Sequence, residues 1–203
     1  MKLTKTELRS EQLKLGQLQK YLPTLQLKKA LLQLEVNAAQ AEIEELKGNF
    51  RGLSDKVAHY AQILSDTEAS DLFSSLEILE VKRRYENIAG IDIPHFDGIV
   101  YQEETYSLFD SPVWLESAIA GMKHLLTCRE KIKVAKEKKR VLEKELREVS
   151  IRVNLFEKIL IPRSLENIKK IKIFLGDQQL AAISQAKVAK QKIILRQSGY
   201  GQI

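Results

Sequence analysis

The sequence predicts a mainly α-helical protein: a long antiparallel two-helix coiled coil with a short helix and a small β-hairpin inserted between the arms. Three observations lead there. Apolar residues recur at alternating steps of three and four from Leu8 through Leu15, Leu22, Leu32, Val36, Ile43 and Phe50 to Leu64; fifteen of these seventeen positions are apolar, and only Glu11 and Lys29 break the stripe. The same rhythm returns from Trp114 through Leu125, Cys128, Leu142, Val149 and Val153 to Leu160. Between the two lies an acidic stretch richer in β-branched and aromatic residues. A 3-4 spacing marks one narrow seam on a helix. Neither helix can hide its seam from water alone, and the stretch between them is too short to let the helices run parallel. The chain is therefore expected to fold back with its seams face to face, in three parts: residues 1–64, 65–112 and 113–203.

The first arm begins at Thr4-Lys5-Thr6-Glu7, a capping box in which the Thr4 hydroxyl accepts from the amide of Glu7. A helix over 6–64 extends roughly 85 Å at about 1.5 Å per residue. Pro23 removes one backbone bond and crowds the preceding turn, which predicts a kink or local break near residues 19–23. The seam keeps its phase across Pro23, which favours a kink over a chain reversal there.

In the middle, Ser65-Asp66-Thr67-Glu68 is a second capping box, and residues 70–86 read as a short amphipathic helix through Leu72, Phe73, Leu76, Leu79 and Val81. Two short strands are expected next, around Ile88–Ile93 and Ile99–Phe109, with the hairpin turning near His95–Gly98. A lone hairpin is marginal in water, so this one must lean on the coiled coil or on a partner. Ser111 as N-cap with Pro112 at the first position starts the second arm. At Pro162 the phase slips: Leu160 belongs to the old register, and Ile168, Ile171 and Leu175 resume eight residues later. This reads as an inserted four-residue step, which locally unwinds a left-handed supercoil. Beyond Leu175 the seam thins to Ala182, Ala186, Ala189 and Ile193.

Composition agrees with long helices rather than a thick core. Charged residues make up 30% and aromatics 6% of the 203 residues, with nine Gly and four Pro. The net charge of +6 is uneven: +3 over 1–64, −8 over 65–112 and +11 over 113–203. A basic arm suits nucleic acid, an anionic membrane or an acidic protein surface, and equally a solvated helix face. No apolar run of about 18 residues exists, so no membrane span is expected. Met1–Lys5 lacks the apolar core of a signal peptide, and the lone Cys128 on the seam fits a reducing cytoplasm. No phosphate-cradling Gly-x-x-x-x-Gly-Lys-Ser/Thr loop is present. His59, His95 and His124 lack metal-ligand spacing, and an exposed hairpin offers Asp92, Asp97, Glu103 and Glu104 no pocket to become catalytic carboxylates. Neither a cofactor, a metal nor a catalytic residue is expected.

One local string stands out. Arg152-Val153-Asn154-x-x-Glu157-x-x-x-Ile161-Pro162 is followed by Ile168-Lys169-x-Ile171-x-x-x-Leu175 and a tail with Lys187 and Lys190. On a helix Asn154, Glu157 and Ile161 share a face off the seam; ordinary exposed polar residues would look the same. The string resembles the C-terminal helix of the D subunit of V-type and archaeal-type rotary ATPases. Leu15, Leu18, Pro23, Leu25, Lys28 and Leu32 resemble that family's N-terminal helix, and Ile88-Ala89-Gly90-Ile91-x-Ile93-Pro94 its hairpin segment. The similarity runs in order along nearly the whole chain. It departs at Ile151, where the family usually has a second arginine, and at Gly176–Leu180, where an acidic stretch is common.

The resemblance implies a non-catalytic central stalk: a rotor shaft that transmits torque between a ring of catalytic and nucleotide-binding subunits (A and B type) and the membrane ion-translocating ring. The resemblance, the phase slip at Pro162 and the concentration of positive charge together point to contacts with the catalytic ring through Arg152, Asn154, Glu157, Pro162, Lys187, Lys190 and Arg196; the alternative is that the tail's basic residues only keep a long helix soluble. The resemblance also implies contacts with a small stalk partner, the F subunit, and with the funnel-like subunit on the membrane ring through the middle region, at Ile88, Gly90, Ile91, Ile93 and Pro94. The location expected is cytoplasmic and peripheral to the membrane, in a machine that moves protons or sodium. Two other classes fit two long helices around hairpin material. A prefoldin-type chaperone arm would expose apolar helix tips, whereas Lys187, Lys190, Lys192 and Arg196 stand here. A nucleic-acid-binding arm would interleave stacking aromatics with its basic residues, but after Phe156 only Phe174 and Tyr200 are aromatic.

Overall fold

Thr4 starts the first helix as expected. Its Oγ1 accepts the N–H of Glu7 at 3.2 Å, and its carbonyl accepts the N–H of Leu8 at 3.0 Å. The structure, a computed structural model, describes residues 2–58, 76–102 and 114–199, with side chains through 196. Helix α1 spans Lys5–Ala58 and runs through Pro23 without a break; a single missing N–H is tolerated where the surrounding turns stay paired. Two strands follow, β1 (Ile78–Ile88) and β2 (Ile91–Tyr101), then α2 (Leu115–Leu155), a π-helical turn over Phe156–Leu160, and α3 (Ile161–Gly199). The expected helix end at 59–64, the second capping box at 65–68 and the Ser111–Pro112 start all lie outside the described residues.

The seams decide what is buried. Every seam position of α1 from Leu8 to Val57 is buried or half-buried, and its fully buried residues, Leu18, Leu32, Val36, Ala39 and Ile43, all lie on that stripe. On α2 the seam residues Cys128, Ala135, Leu142, Val149 and Val153 are buried likewise.

The chain forms two units, residues 28–149 and residues 1–27 with 150–203. In the first, α1 and α2 pair antiparallel. Lys28 Nζ meets Glu145 Oε1 at 2.9 Å, Lys138 Nζ meets Glu42 Oε2 at 3.1 Å, and Cys128 Sγ approaches the Leu46 carbonyl at 3.5 Å. Partner numbers fall on one helix as they rise on the other, as the matched stripes require. Leu32 and Leu142 are both at 0% exposure, while Leu46 and Phe50 are only half-buried.

The hairpin departs from the expectation in two ways. Residues 78–86 are strand, not helix, and the turn is Ala89-Gly90, not His95–Gly98. Ala89 and Gly90 both have positive φ, 54° and 82°, the backbone of a type I′ turn whose twist matches that of the strands. The Asn87 side chain secures it, accepting the N–H of Gly90 at 3.1 Å and donating to Asp92 at 2.8 Å. Pro94 and Gly98 therefore sit inside β2, opposite Tyr85 and Lys82. Proline is tolerated where a strand need not donate to its neighbour. The 3-4 spacing of Leu72, Leu76 and Leu79 read as helix, but beyond it Val81, Tyr85 and Ile88 are strand formers that pair with β2.

A second apolar stripe on α2 meets this region. Leu115 and Ile119, one turn apart and off the seam, are buried with Leu76, and Met122 and Leu126 pack against them. Further along, Val134 and Ala135 line one cavity wall with Pro94 and Phe96. Tyr101 donates its hydroxyl to the Lys123 carbonyl at 2.9 Å and lies 3.0 Å from Thr127 Oγ1. Arg83 reaches Glu137 at 2.9 Å, and the Lys131 ammonium stands 5.6 Å from the Phe96 ring centre. The hairpin leans on the coiled coil.

In the second unit the phase slip acquires a cause. Continuing the 3-4 rhythm past Leu160 would place Arg163, Asn167, Lys170 and Phe174 on the seam. One extra residue places Ser164, Ile168, Ile171 and Leu175 there instead, and Ser164, Ile168 and Ile171 are buried. The π turn supplies that residue: the Ile161 N–H bonds to the carbonyl of Phe156, five back instead of four. Pro162, which has no N–H to give, follows at once.

Two outcomes test this account. Leu142→Ala should lower unfolding stability by about 2–5 kcal/mol, whereas exposed Glu45→Ala should change it by no more than about 0.5 kcal/mol in the same denaturant titration. Ala89→Asn should raise stability by up to about 1 kcal/mol, because Asn-Gly suits a type I′ turn and asparagine tolerates positive φ better than alanine.

Candidate interaction surfaces

The residues singled out in sequence separate into three surfaces. On the Arg152–Pro162 segment, Val153 is buried in the seam and Phe156 half-buried, so the residues between point outward: Arg152, Asn154, Glu157 and Pro162 are all exposed. Ile151, Leu155 and Ile159, spaced one turn apart, are exposed beside them. No contact role was expected of these three from the sequence; their spacing at i, i+4 and i+8 off the seam is the signal that marks them.

The second surface is the end of α3. Leu175 and Gly176 are the last half-covered residues, and every described side chain from 177 to 196 is exposed. These include Lys187, Lys190 and Arg196 but also Leu180, Ile183, Val188, Ile193 and Ile194, the apolar ones between 49% and 67% exposed. The alanine seam expected there meets no covering helix: Ala182, Ala186 and Ala189 are exposed too. Large apolar side chains thus stand uncovered along a continuous helix. Nearer the start of α3, the exposed Glu166 accepts from Lys170 at 2.9 Å, and that hydrogen bond together with the lysine's charge holds its carboxyl below the usual value.

The third is the hairpin. Ile93 and Pro94 are buried within the chain, while Ile88 and Ile91 are half-buried and Gly90 exposed at the turn. The chain's own fold thus uses two of the five predicted contact residues and leaves the other three at the tip. Of the polar residues weighed for chemistry, Asp92 bonds Asn87, Asp97 and His124 are not buried, and His95 Nε2 stands 3.4 Å from Glu86. His59, Glu103 and Glu104 lie outside the described residues. Among the described residues no group of three or more His, Cys, Asp or Glu side chains could hold a metal ion, and no helix is long and apolar enough to cross a membrane.

Paired long helices, a docked hairpin and uncovered apolar helical faces define a coiled-coil protein. The family model for the ATP synthase D subunit matches residues 7–191. The V-type ATP synthase D subunit of Chlamydia caviae is 43% identical over 194 residues, covering 95% of this chain and 93% of its own length. Those of Chlamydia pneumoniae (41% identical, 98% and 95% covered) and Chlamydia trachomatis serovar L2 (43%, 95% and 96%) are similar. The chain belongs to the ATP synthase D-subunit family.

The burial difference along α3 is directly measurable. Leu180→Ser and Ile183→Ser should each leave the stability of the isolated chain within about 0.5 kcal/mol of the parent. Ile171→Ala, from the buried part of the same helix, should cost about 2–5 kcal/mol.

Proposed function

We propose that the chain is a torque-bearing rotor shaft, with the uncovered end of α3 seated in the catalytic ring. As a member of the D-subunit family it is a central-stalk component of a rotary ATPase. The observation that carries the finer reading is the exposure of every described side chain from 177 to 196 on a continuous helix. Apolar faces at Leu180, Ile183 and Ile194 supply affinity once covered, and Lys187, Lys190 and Arg196 supply contacts that re-form easily. Exposed ion pairs are worth roughly 0–1 kcal/mol, so a basic surface can pass from one subunit conformation to the next without locking. Arg152, Asn154, Glu157 and Pro162, with the exposed Ile151, Leu155 and Ile159, form the second ring contact.

The hairpin tip at Ile88, Gly90 and Ile91 faces the small F-type stalk partner, and the middle region the funnel-like subunit on the membrane ring. ATP chemistry belongs to the A- and B-type subunits, and ion movement, of protons or sodium, to the membrane ring. The shaft itself catalyses nothing and stands in the cytoplasm, peripheral to the membrane. The prefoldin-type and nucleic-acid readings gain nothing from the family to which the chain belongs.

The test is reconstitution. Lys187, Lys190 and Arg196 replaced together with Gln should weaken assembly or let the rotor slip under load, with less dependence on salt than the parent because the screened contacts are gone. Leu180→Ser with Ile183→Ser should cause slipping at every salt concentration. Normal torque in both variants would remove the α3 end from the contact surface.

A further inference from the structure

The seam of the unit formed by residues 1–27 and 150–203 is interrupted at one layer. Glu11 occupies a seam position, and its side chain is 13% exposed. Its Oε2 is buried and meets no hydrogen-bond partner, while Oε1 lies 3.9 Å from Lys14 Nζ. On α3 the corresponding seam residue is Ser164, 2% exposed, where a leucine would fill the space. A groove of about 300 Å³, partly open to solvent, lies between Glu7, Glu11 and Lys14 on one side and Leu160, Arg163, Ser164 and Asn167 on the other. The π turn ends at Leu160, and Pro162 gives no N–H to the helix ladder.

Four weaknesses thus coincide within about two turns: a polar residue on each seam, an unsatisfied carboxylate oxygen, an unfilled space and a widened backbone. Leu18 on α1 and Val153, Ile168 and Ile171 on the other strand of the seam are all buried around them. Regions with few buried apolar contacts and loosened backbone bonding are those that open first.

We propose that this layer is a built-in point of opening, at which α1 and α3 part locally while the apolar seam on either side stays closed. Glu11 and Ser164 set it: the carboxylate prefers water, and the serine supplies no packing that would hold it in. The inference stands whether or not the shaft reading of the chain is correct.

Native-state amide hydrogen exchange on the full-length chain tests it. The amides of residue 161 and residues 163–167 should exchange at least about tenfold faster than those of 150–155. Glu11→Leu combined with Ser164→Leu should slow the first group by about tenfold and leave the second unchanged. Glu11→Gln, which keeps the layer polar, should preserve the parent pattern. Ser164→Val alone, a smaller filling, should slow exchange in the same direction if the double variant fails to fold. Equal protection of the two groups in the parent overturns the proposal. So does a gradient that survives filling of the layer, since the π turn alone would then be its source.

Discussion

A single stripe of apolar side chains, one every three or four residues, holds this protein together. It is narrow, so each helix has only one face to bury, and everything else follows from which segment covers that face. Where α1 and α2 run side by side, Leu32, Ala39, Ile43, Leu142 and Val149 exclude water from the contact. The ion pairs at its border, Lys28 with Glu145 and Glu42 with Lys138, add orientation more than energy, since partly exposed pairs contribute little. The hairpin depends on the same economy. Two strands cannot bury enough to stand alone, so α2 carries a second apolar stripe at its beginning, and Ile93 and Pro94 complete their burial inside the chain.

The parts of this arrangement that were legible in the sequence are those set by local periodicity. The 3-4 rhythm located every buried residue of α1, the Thr4 cap was readable from Glu7 three residues on, and Cys128 fell on the seam by position. The hairpin was legible only in kind. Its turn is fixed by the Asn87 side chain bonding Gly90 and by two residues in the left-handed region, and nothing in Ala89 announces that conformation. Gly98 and Pro94, ordinary turn residues elsewhere, became strand because pairing with β1 outweighs their preference. The slip near Pro162 was visible as a change of phase, but its cause, a fifth residue in the turn, is a backbone event that side-chain spacing does not reveal.

The candidate contacts were less legible than the fold. On α2 and α3 the expected contacts were mostly charged and polar; the structure leaves those residues exposed, yet sets Ile151, Leu155 and Ile159 beside them and Leu180 and Ile183 among the tail lysines. Whether an apolar residue in a helix is core or contact depends on what covers it. That depends on where the opposing helix ends, which spacing on a single helix cannot tell. Ile93 shows the reverse case, a residue assigned to a partner that the chain keeps for itself.

The uncovered stretch of α3 also has to remain helical without tertiary support. Its composition explains how: between Asp177 and Arg196 it holds four alanines with glutamine, lysine and leucine, and neither glycine nor proline. These are among the strongest intrinsic helix formers, so the backbone is largely ordered before any neighbour arrives. A protein closing over this segment, as the proposed function requires, would lose little free energy to fixing its conformation, and the gain from covering the apolar side chains would go to affinity rather than to folding. A glycine in place of Ala186 would leave every contact side chain where it is and still weaken that union, because the cost of ordering the helix would return.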